Sequence, residues 1–199
     1  MSKTGATQGY YKRMQAAVEE LLVLKGIVTR EEIDREVEAM EARDYRRGAK
    51  MVARAWTDPA YKARMLANGS AAAEELGLSV GPLHLVVVEN TEKIHNVIVC
   101  TLCSCYPRTL LGPPPPWYKS LEYRSRTVRE PRKVLSEFGL QIPDDVQIRV
   151  HDSTADMRYM VLPMRPKGTE KMDDAQLAEL VTRDCLIGTG VPAGPRAGR

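Results

Sequence analysis

The stretch Val97-Ile98-Val99-Cys100-Thr101-Leu102-Cys103-Ser104-Cys105-Tyr106-Pro107 joins a run of β-branched residues to three of the chain's four cysteines. The β-branched run predicts a strand, so the cysteines are expected on a turn at the end of that strand. In a reducing compartment, clustered cysteines indicate metal or redox chemistry more often than disulfides. The fourth cysteine, Cys185, stands alone in a segment of helical period, and we interpret it as a small buried hydrophobic residue.

Zinc is the commonest metal for such a cluster, and either His84 or His95 would then be the fourth ligand. However, a single residue separates Cys103 from Cys105, which makes two vertices of one tetrahedron awkward for both thiolates to reach. Backbone atoms offer a better set, because the amide nitrogens of Ser104 and Cys105 lie between the two sulfurs and close three fused chelate rings. The spacing therefore favours a near-planar S-N-N-S donor set, which tetrahedral zinc does not suit.

This donor set restricts the metal and its chemistry. Amide nitrogens bind only when deprotonated, which requires a strongly polarising ion such as cobalt(III), iron(III) or copper(II). Cys100 arrives from the strand as a fifth, axial ligand, and the sixth position stays open; a small residue such as Ser104 lets the backbone wrap the ion. A trivalent ion with an open position polarises a bound nitrile or acidifies a bound water. The loop therefore indicates hydration or hydrolysis.

The N-terminal part of the chain predicts a helical arm. Thr29-Arg30-Glu31-Glu32 forms a capping box, and Ile33, Val37 and Met40 then recur at the spacing of one helix face. This apolar stripe is narrow and flanked by charges, so such an arm would bury little alone. We expect residues 1–47 to pack against a partner subunit; the alternative is that the arm folds back on its own domain.

Residues 48–188 predict one α+β domain that carries the cysteines. Residues 153–156 suit a hairpin between the last two strands, so the strands are expected to form antiparallel pairs. β-branched content and alternation predict strands over residues 83–89, 97–99, 146–150 and 159–162.

Helices and a tail complete the domain organisation. The helical pattern of residues 122–138 contains Pro131, which predicts a break, and its arginines alternate with glutamates as on an ion-paired helix. Asp173 is expected to cap a helix that runs to about Arg183. Residues 189–199 have little to bury and are predicted to be a disordered tail.

Composition excludes several classes of protein. The 199 residues include 29 Lys and Arg against 26 Asp and Glu, a net charge of +3, which is too balanced to indicate nucleic acid or a membrane surface as a partner. No apolar run approaches the roughly 18 residues that span a bilayer, and residues 1–5 contain no apolar stretch like that of a secretory signal. We therefore expect a cytoplasmic protein.

The cysteine loop, residues 99–107, resembles the metal-binding signature of the nitrile hydratase α subunit. A similar loop occurs in one subunit of thiocyanate hydrolase, so the loop alone does not separate these two enzymes. The resemblance covers roughly residues 46–188, and its further stretches are Val86-Val87-Val88-Glu89-Asn90-Thr91 with His95-Asn96, Pro116-Trp117-Tyr118-Lys119-Ser120, Tyr123-Arg124-Ser125-Arg126, Arg129-Glu130-Pro131-Arg132, Phe138-Gly139, Arg149-Val150 with Asp152-Ser153, and Arg158-Tyr159-Met160-Val161-Leu162-Pro163.

The resemblance implies a fold, a metal and its chemistry. The fold would be a helical N-terminal arm plus a layered α-β-β-α domain. The metal would be low-spin, non-corrin cobalt(III), because Thr101 looks like the cobalt type, whereas the iron(III) type usually has serine there. Cys103 would be oxidised to the sulfinic acid and Cys105 to the sulfenic acid, while Cys100 stays a thiolate.

The resemblance also implies partners. The active enzyme would pair this chain with a β subunit, or with two smaller chains that replace it. An activator protein would insert cobalt. We expect the isolated chain to form a homodimer that covers the same apolar surface. Since the loop itself offers no cation except Arg108, we also expect the partner to supply arginines to the oxidised cysteines.

Arg108 and Trp117 are the candidates for the substrate pocket. The family commonly has tryptophan and proline where this chain has Arg108-Thr109, so a cationic side chain here suits a larger or more polar nitrile. A nucleoside nitrile, as in the toyocamycin-type branch of the family, is one candidate. The alternatives are that Arg108 points to a subunit interface and that Trp117 packs in the core.

The sequence thus predicts the metal-bearing subunit of a cobalt nitrile hydratase, which converts a nitrile to the amide. The metal ligands would be Cys100, Cys103, Ser104 and Cys105, with Cys105 and Ser104 closest to the reaction. The nucleophile is either the sulfenate oxygen of Cys105 or a water. A thiocyanate hydrolase subunit and a non-catalytic metal-binding module are the alternatives.

Overall fold

A computed structural model gives residues 3–103 and 105–194 of the chain, with side chains from residue 9 onward. The chain divides into two units, Met1–Ala42 and Arg43–Arg199. The bounds predicted for the arm, the catalytic domain and the tail (1–47, 48–188 and 189–199) stay predictions. None of the helices within the described ranges has the length and apolar character that crossing a bilayer requires.

The first unit consists of two helices, α1 (Lys3–Leu24) and α2 (Arg30–Glu41). The predicted capping box is confirmed: Thr29 Oγ1 accepts from the Glu32 amide, and the Glu32 carboxylate accepts from the Thr29 amide. The apolar stripe lies on α2, in which no residue is buried.

The second unit contains eight helices, four strands and one 3₁₀ turn among its described residues. Pro131 begins a new helix at its first position, which confirms the predicted break. The helices are α3 (Arg46–Thr57), α4 (Pro59–Ala67), α5 (Gly69–Glu75), α6 (Arg108–Leu111), α7 (Leu121–Arg129), α8 (Pro131–Glu137), α9 (Asp174–Glu179) and α10 (Arg183–Ile187); the 3₁₀ turn is Pro116–Lys119.

The helix that Asp173 caps is shorter than predicted. Asp173 and Gln176 form a capping box, but the helix ends at Glu179. The amides of Leu180 and Val181 then make tight bonds to carbonyls three residues back, and an extended Thr182 starts α10. The predicted single helix to Arg183 is therefore wrong, because the backbone turns between two short helices.

The four strands are β1 (His84–Glu89), β2 (Ile94–Val99), β3 (Gln147–Asp152) and β4 (Met157–Leu162). They form two parallel pairs, β1 with β4 and β2 with β3. The α+β class is confirmed, but the predicted antiparallel pairs and the hairpin over residues 153–156 are wrong. That segment crosses from one pair to the other: the Ser153 amide donates to Val99, whereas the His84 amide donates to Asp156.

This pairing brings four strand ends to one edge of the second unit. β1 and β2 are joined by a short turn closed by a bridge between Thr91 and Ile94, so they run in opposite directions. The start of β1 and β4 therefore lies on the same side as the end of β2 and β3. The cysteine loop leaves the end of β2 at this edge.

Gly188, which follows α10, crosses closely over the middle of β2 at Asn96 and Val97. Its φ is +93°, and a Cβ built there would lie 2.0 Å from the Asn96 carbonyl oxygen, so only glycine fits this crossing over β2. The described part of the predicted tail continues from here, with Thr189 buried and the Ala193 amide donating to Leu180. Residues 195–199 lie outside the described residues.

His95 connects this crossing to the strands. Its Nε2 donates to the Gly188 carbonyl over 2.7 Å, and its Nδ1 lies 3.3 Å from the Asn90 side-chain amide, which donates to it. Asn90 in turn accepts from the Asn96 amide. Burial lowers the pKa of His95, against the opposing effect of the Gly188 carbonyl, so the ring is neutral in the fold.

We expect Gly188→Ala to lower the free energy of unfolding by more than about 3 kcal/mol, because it combines a left-handed φ with a backbone clash. Gly139→Ala is the matched control: its φ is +83° and nothing lies within 4 Å of the added Cβ, so it should cost only about 1–2 kcal/mol. Urea unfolding of both variants measures the difference. Equal losses of unfolding free energy in the two variants would contradict the close approach of Gly188 to Asn96.

We expect the stability of the protein to fall as the pH drops below about 6.5, the ordinary pKa of histidine. The unfolded His95 ring then takes up a proton that the folded ring rejects, so the stabilisation is complete above that pH and lost below it. His151 is half-buried and burial lowers its pKa as well, so His95→Gln should reduce this dependence without removing it. Urea unfolding between about pH 5 and pH 8 measures the slope, and the variant should cost about 1–3 kcal/mol at neutral pH. His84→Gln, which changes an exposed ring, should keep the wild-type slope; an unchanged slope in His95→Gln would refute the assignment.

Candidate metal centre

The three clustered cysteines place their sulfurs together at the end of β2. Cys100 is buried, Cys105 is half-buried and Cys103 is exposed. The Sγ atoms of Cys100 and Cys103 are 3.4 Å apart, those of Cys103 and Cys105 are 3.0 Å apart, and all three lie within 4.8 Å of one another. Ser104, the predicted source of a backbone ligand, lies outside the described residues.

These separations fit three thiolates on one ion. With metal–sulfur bonds of about 2.3 Å, two sulfurs at right angles are about 3.3 Å apart, and two at the tetrahedral angle are about 3.8 Å apart. The observed 3.4 Å and 3.0 Å are nearer to the right angle. These two separations are therefore closer to those of neighbouring positions on a square or octahedral ion than to those on a tetrahedral ion.

His95 does not belong to this cluster, so its predicted alternative role as a zinc ligand is wrong. It lies near the start of β2, about five residues or roughly 16 Å of extended strand from Cys100, and both of its ring nitrogens are hydrogen-bonded. His84 lies at the edge of the cysteines, and its side chain is exposed. Within residues 3–103 and 105–194, the only group of three metal-type ligands consists of the cysteines.

Two charged side chains form hydrogen bonds with the loop around Cys100 and Thr101. Asp152, the last residue of β3, accepts from the Thr101 amide over 2.9 Å and from the Thr101 hydroxyl over 2.5 Å. Arg124 on α7 donates from Nε to the Cys100 carbonyl over 2.9 Å and from Nη2 to the Thr101 carbonyl over 2.6 Å. The start of the loop is therefore tied to both a strand and a helix.

The far end of the loop is tied to a buried aromatic cluster. The Tyr118 hydroxyl donates to the Cys105 carbonyl over 2.9 Å, and its ring packs edge to face against Tyr106 with centroids 5.0 Å apart. Burial raises the pKa of Tyr118 far above its ordinary value, so the phenol stays protonated and remains a donor.

The electrostatics at Cys105 favour the neutral thiol. Burial and the hydrogen bond with Cys103 raise its pKa, while the charge of Arg158 acts in the opposite direction. A bound cation reverses this balance, because coordination to a metal deprotonates a thiol. Arg108 is the only cation within the loop itself, as expected, but Arg124 and Arg158 reach this edge from elsewhere in the fold.

Trp117 and Arg108 are the two candidate pocket residues, and each follows the cysteine loop in the chain. Trp117 is half-buried and packs against Tyr123 and Phe138, with ring centroids 4.8 Å and 4.7 Å away. Arg108 is the first residue of α6 and is exposed; its backbone amide donates to the Tyr106 carbonyl. Their assignment to a substrate pocket stays a prediction.

The sequence interpretation missed the roles of Arg124 and Asp152. The arginine-rich segment was expected to be an ion-paired helix, and Arg126 fits that expectation through its bonds to Glu122, Glu130 and Glu137. Arg124, two residues earlier, points to the loop instead. The quoted motifs contain Arg124 and Asp152, but only tertiary pairing shows that both reach Thr101.

Known proteins are similar to this chain in sequence. Residues 9–190 match the family described as nitrile hydratase, alpha chain. The low-molecular weight cobalt-containing nitrile hydratase subunit alpha of Rhodococcus rhodochrous is 51% identical over 183 residues, which cover 90% of this chain and 87% of the relative. The thiocyanate hydrolase subunit gamma of Thiobacillus thioparus is 43% identical over 194 residues, covering 92% of this chain and 80% of that subunit.

A solved structure resembles the whole fold. A double mutant of the Fe-type nitrile hydratase from Comamonas testosteroni Ni1 superposes with a TM-score of 0.86 at 46% identity, covering 96% of this chain and 97% of the other. With a family match over most of its length and relatives at about half identity, the chain belongs to the nitrile hydratase alpha-chain family.

Proposed function

We propose that this chain is the metal-bearing alpha subunit of a nitrile hydratase, which adds one water to a nitrile, R–C≡N + H₂O → R–C(=O)NH₂. The observation that carries the proposal is the convergence of the sulfurs of Cys100, Cys103 and Cys105 within 4.8 Å at a strand end. The separations suit an ion that also takes backbone ligands, and the amides of Ser104 and Cys105 are the candidates.

The metal we propose is cobalt(III). Relatives at 51% and 49% identity are described as cobalt-containing, while the similar structure from Comamonas testosteroni is Fe-type, so iron(III) is the second candidate. Thr101 favours cobalt by its resemblance to that type. When bound, the trivalent ion supplies Lewis acidity that draws electron density from the nitrile carbon.

The three cysteines differ in exposure, and we assign them different roles around this ion. Cys100 is buried and its carbonyl accepts from Arg124, which suits a ligand that holds the ion without contacting substrate. Cys103 is exposed, and the neighbouring Leu102 is 86% exposed. Substrate therefore approaches from the side of Cys103 and Cys105. Cys105 keeps its carbonyl on Tyr118, which fixes the sulfur nearest to the reaction.

We further propose that Cys103 carries a sulfinate and Cys105 a sulfenate. Each oxidation step transfers one oxygen atom to sulfur from an oxidant such as hydrogen peroxide, which leaves as water. One step gives the sulfenate and two give the sulfinate. Either the Cys105 sulfenate oxygen or a water then attacks the nitrile carbon.

A partner chain completes the site in this proposal. Arg124 and Arg158 are engaged with carbonyls of this chain, so the oxidised sulfurs need further cations, which a β subunit or two smaller chains would supply as arginines. An activator protein would load the cobalt. We place the protein in the cytoplasm, because three neighbouring thiols suit a reducing compartment.

The arm is proposed to bind that partner. Residues of the turn after α1 and of α2, among them Ile27, Ile33, Val37 and Met40, line a groove of about 620 Å³. Ile27, Val37 and Met40 are exposed large hydrophobic side chains, which marks an interaction surface. Without its partner, the chain would cover this surface by forming a homodimer.

For the substrate, we propose a nitrile larger or more polar than a simple aliphatic one, with Arg108 and Trp117 at the pocket. The exposed position of Arg108 on α6 supports contact with a polar group. A nucleoside nitrile is the representative substrate for this class. Thiocyanate is the competing substrate, because a thiocyanate hydrolase subunit is 43% identical.

We expect the chain, co-expressed with its partner and activator, to bind one cobalt, show sulfur-to-cobalt charge transfer and hydrate a nitrile. Cys105→Ser should lower turnover at least about a hundredfold even where cobalt stays bound, because serine forms no sulfenate and is a weaker ligand. Cys185→Ser, which changes a buried cysteine on α10, is the control and should keep turnover. Metal analysis, mass spectrometry of the loop peptide and assays on nitriles and thiocyanate are the measurements.

Three other outcomes would contradict the proposal or its mechanism, and each would point to a different conclusion. Hydrolysis of thiocyanate without nitrile hydration would assign the thiocyanate hydrolase reaction. Colourless zinc without turnover would assign a metal-binding module. Near-normal turnover of Cys105→Ser would exclude the Cys105 oxygen as nucleophile.

We expect Val37→Glu to prevent co-purification of the partner subunit, since it places a charge in the apolar groove of the arm. Ala39→Glu, on the opposite face of α2, should leave co-purification unchanged. Size-exclusion chromatography of co-expressed chains measures the association. Wild-type behaviour of Val37→Glu, together with a monomeric isolated chain, would contradict the proposed role of the arm.

A further inference from the structure

We propose that Arg124 is a positioning residue that holds the cysteine loop in its metal-receiving conformation before the metal binds. The inference rests on the proposed function, since it concerns the same three cysteines. Arg124 touches neither sulfur nor substrate; it acts through the carbonyls of Cys100 and Thr101.

The loop needs such a support because burial does not hold it. Thr101, Leu102 and Cys103 are exposed, and Leu102 leaves 86% of its surface to solvent. Apolar contacts therefore contribute little to the conformation of this stretch. Polar bonds to neighbouring elements are what remains to fix it.

The guanidinium of Arg124 suits this task by its shape. Its Nε and Nη2 donate to two successive carbonyls, those of Cys100 and Thr101, over 2.9 Å and 2.6 Å. Two consecutive carbonyls that converge on one group define the direction in which the chain turns after Cys100. A planar fork donates to both at once, which a lysine ammonium, with its flexible stem and single centre, does not reproduce.

Asp152 binds the polar hydrogens of Thr101, while Arg124 binds its carbonyl. Its two carboxylate oxygens accept from the Thr101 amide and hydroxyl. Thr101 thus lies between a cation on its carbonyl and an anion on its amide, and hydrogen bonds to charged groups are stronger than neutral ones. In the described part of the chain, neither Arg124 nor Asp152 takes part in a salt bridge, so both charges are directed to the loop.

Helix α7, which carries Arg124, is attached to its neighbouring elements by side-chain hydrogen bonds. The adjacent Tyr123 is buried and donates from its hydroxyl to the Ile98 carbonyl over 2.7 Å. Arg126, two residues further along α7, donates to the carboxylate of Glu137 on α8 through two bonds of 2.8 Å and 2.6 Å. The side chain of Arg124 is thus supported on both sides along the helix, as a positioning residue requires.

The test compares Arg124→Gln and Arg124→Lys with Arg129→Gln in the full chain. Arg129 lies on the same helix, and among the described residues its guanidinium donates to the Ser125 carbonyl of its own helix, so it is a matched control. Each metal-free protein is titrated with cobalt(II) chloride without oxygen, and sulfur-to-cobalt charge transfer reports both the affinity and the ligand geometry. Thermal unfolding of the metal-free proteins reports whether they fold.

We expect Arg124→Gln to bind cobalt about 10- to 100-fold more weakly and with a shifted charge-transfer band, the usual effect of removing a group that orients metal ligands. Arg124→Lys should be intermediate, and Arg129→Gln should match the wild type in affinity and spectrum. If Arg124→Gln does not fold, Arg124→Lys decides by the same two readouts.

Wild-type affinity and spectrum in the folded Arg124→Gln protein, or in Arg124→Lys where Gln does not fold, would overturn the inference. If the wild type binds cobalt and hydrates a nitrile with its partner, that failure leaves the proposed function intact. A wild-type chain that takes up no cobalt at its three cysteines overturns both.

Discussion

The parallel pairing of β2 with β3 is the constraint on which the candidate metal centre depends. The register sets Val99 beside Asp152, so the last residue of one strand supplies the carboxylate that binds Thr101 on the loop leaving the other. The Ser153 amide extends the pairing by one bond to Val99. A shift of this register by one residue would turn Asp152 to the other face of the pair and leave the start of the loop without its anion.

Local chemistry made part of the fold predictable from the sequence. The capping box at Thr29, the break at Pro131 and the strand before Cys100 each depend on neighbouring residues, and the structure has all three. The strand pairing was mispredicted because β2 and β3 are about fifty residues apart, and alternation in one strand does not identify its partner. A short Ser-Thr-Ala-Asp link looks like a hairpin whether the chain turns back or crosses to another pair.

The candidate site, too, could be predicted from the sequence only in part. The spacing of Cys100, Cys103 and Cys105 restricts what they can bind, so the cluster could be found without a fold. Arg124 could not, because its helical spacing is equally compatible with the ion pairs that Arg126 makes. What distinguishes the two arginines is the position of α7 against β2, which the buried Tyr123 hydroxyl sets through its bond to Ile98.

The loop begins with a buried, hydrogen-bonded residue and has a solvent-exposed residue in its middle. Different interactions are needed to hold the first and to leave the second exposed. Cys100 is fully buried, and Arg124 donates to its carbonyl and to that of Thr101. Cys105 is anchored through its own carbonyl by Tyr118. Cys103, between them, faces solvent. Packing that covered Cys103 would hold the loop equally well but would close the side from which a metal and a substrate enter in the proposed function. Hydrogen bonds to backbone carbonyls at the two ends avoid this conflict, because they fix the course of the chain without covering its sulfurs.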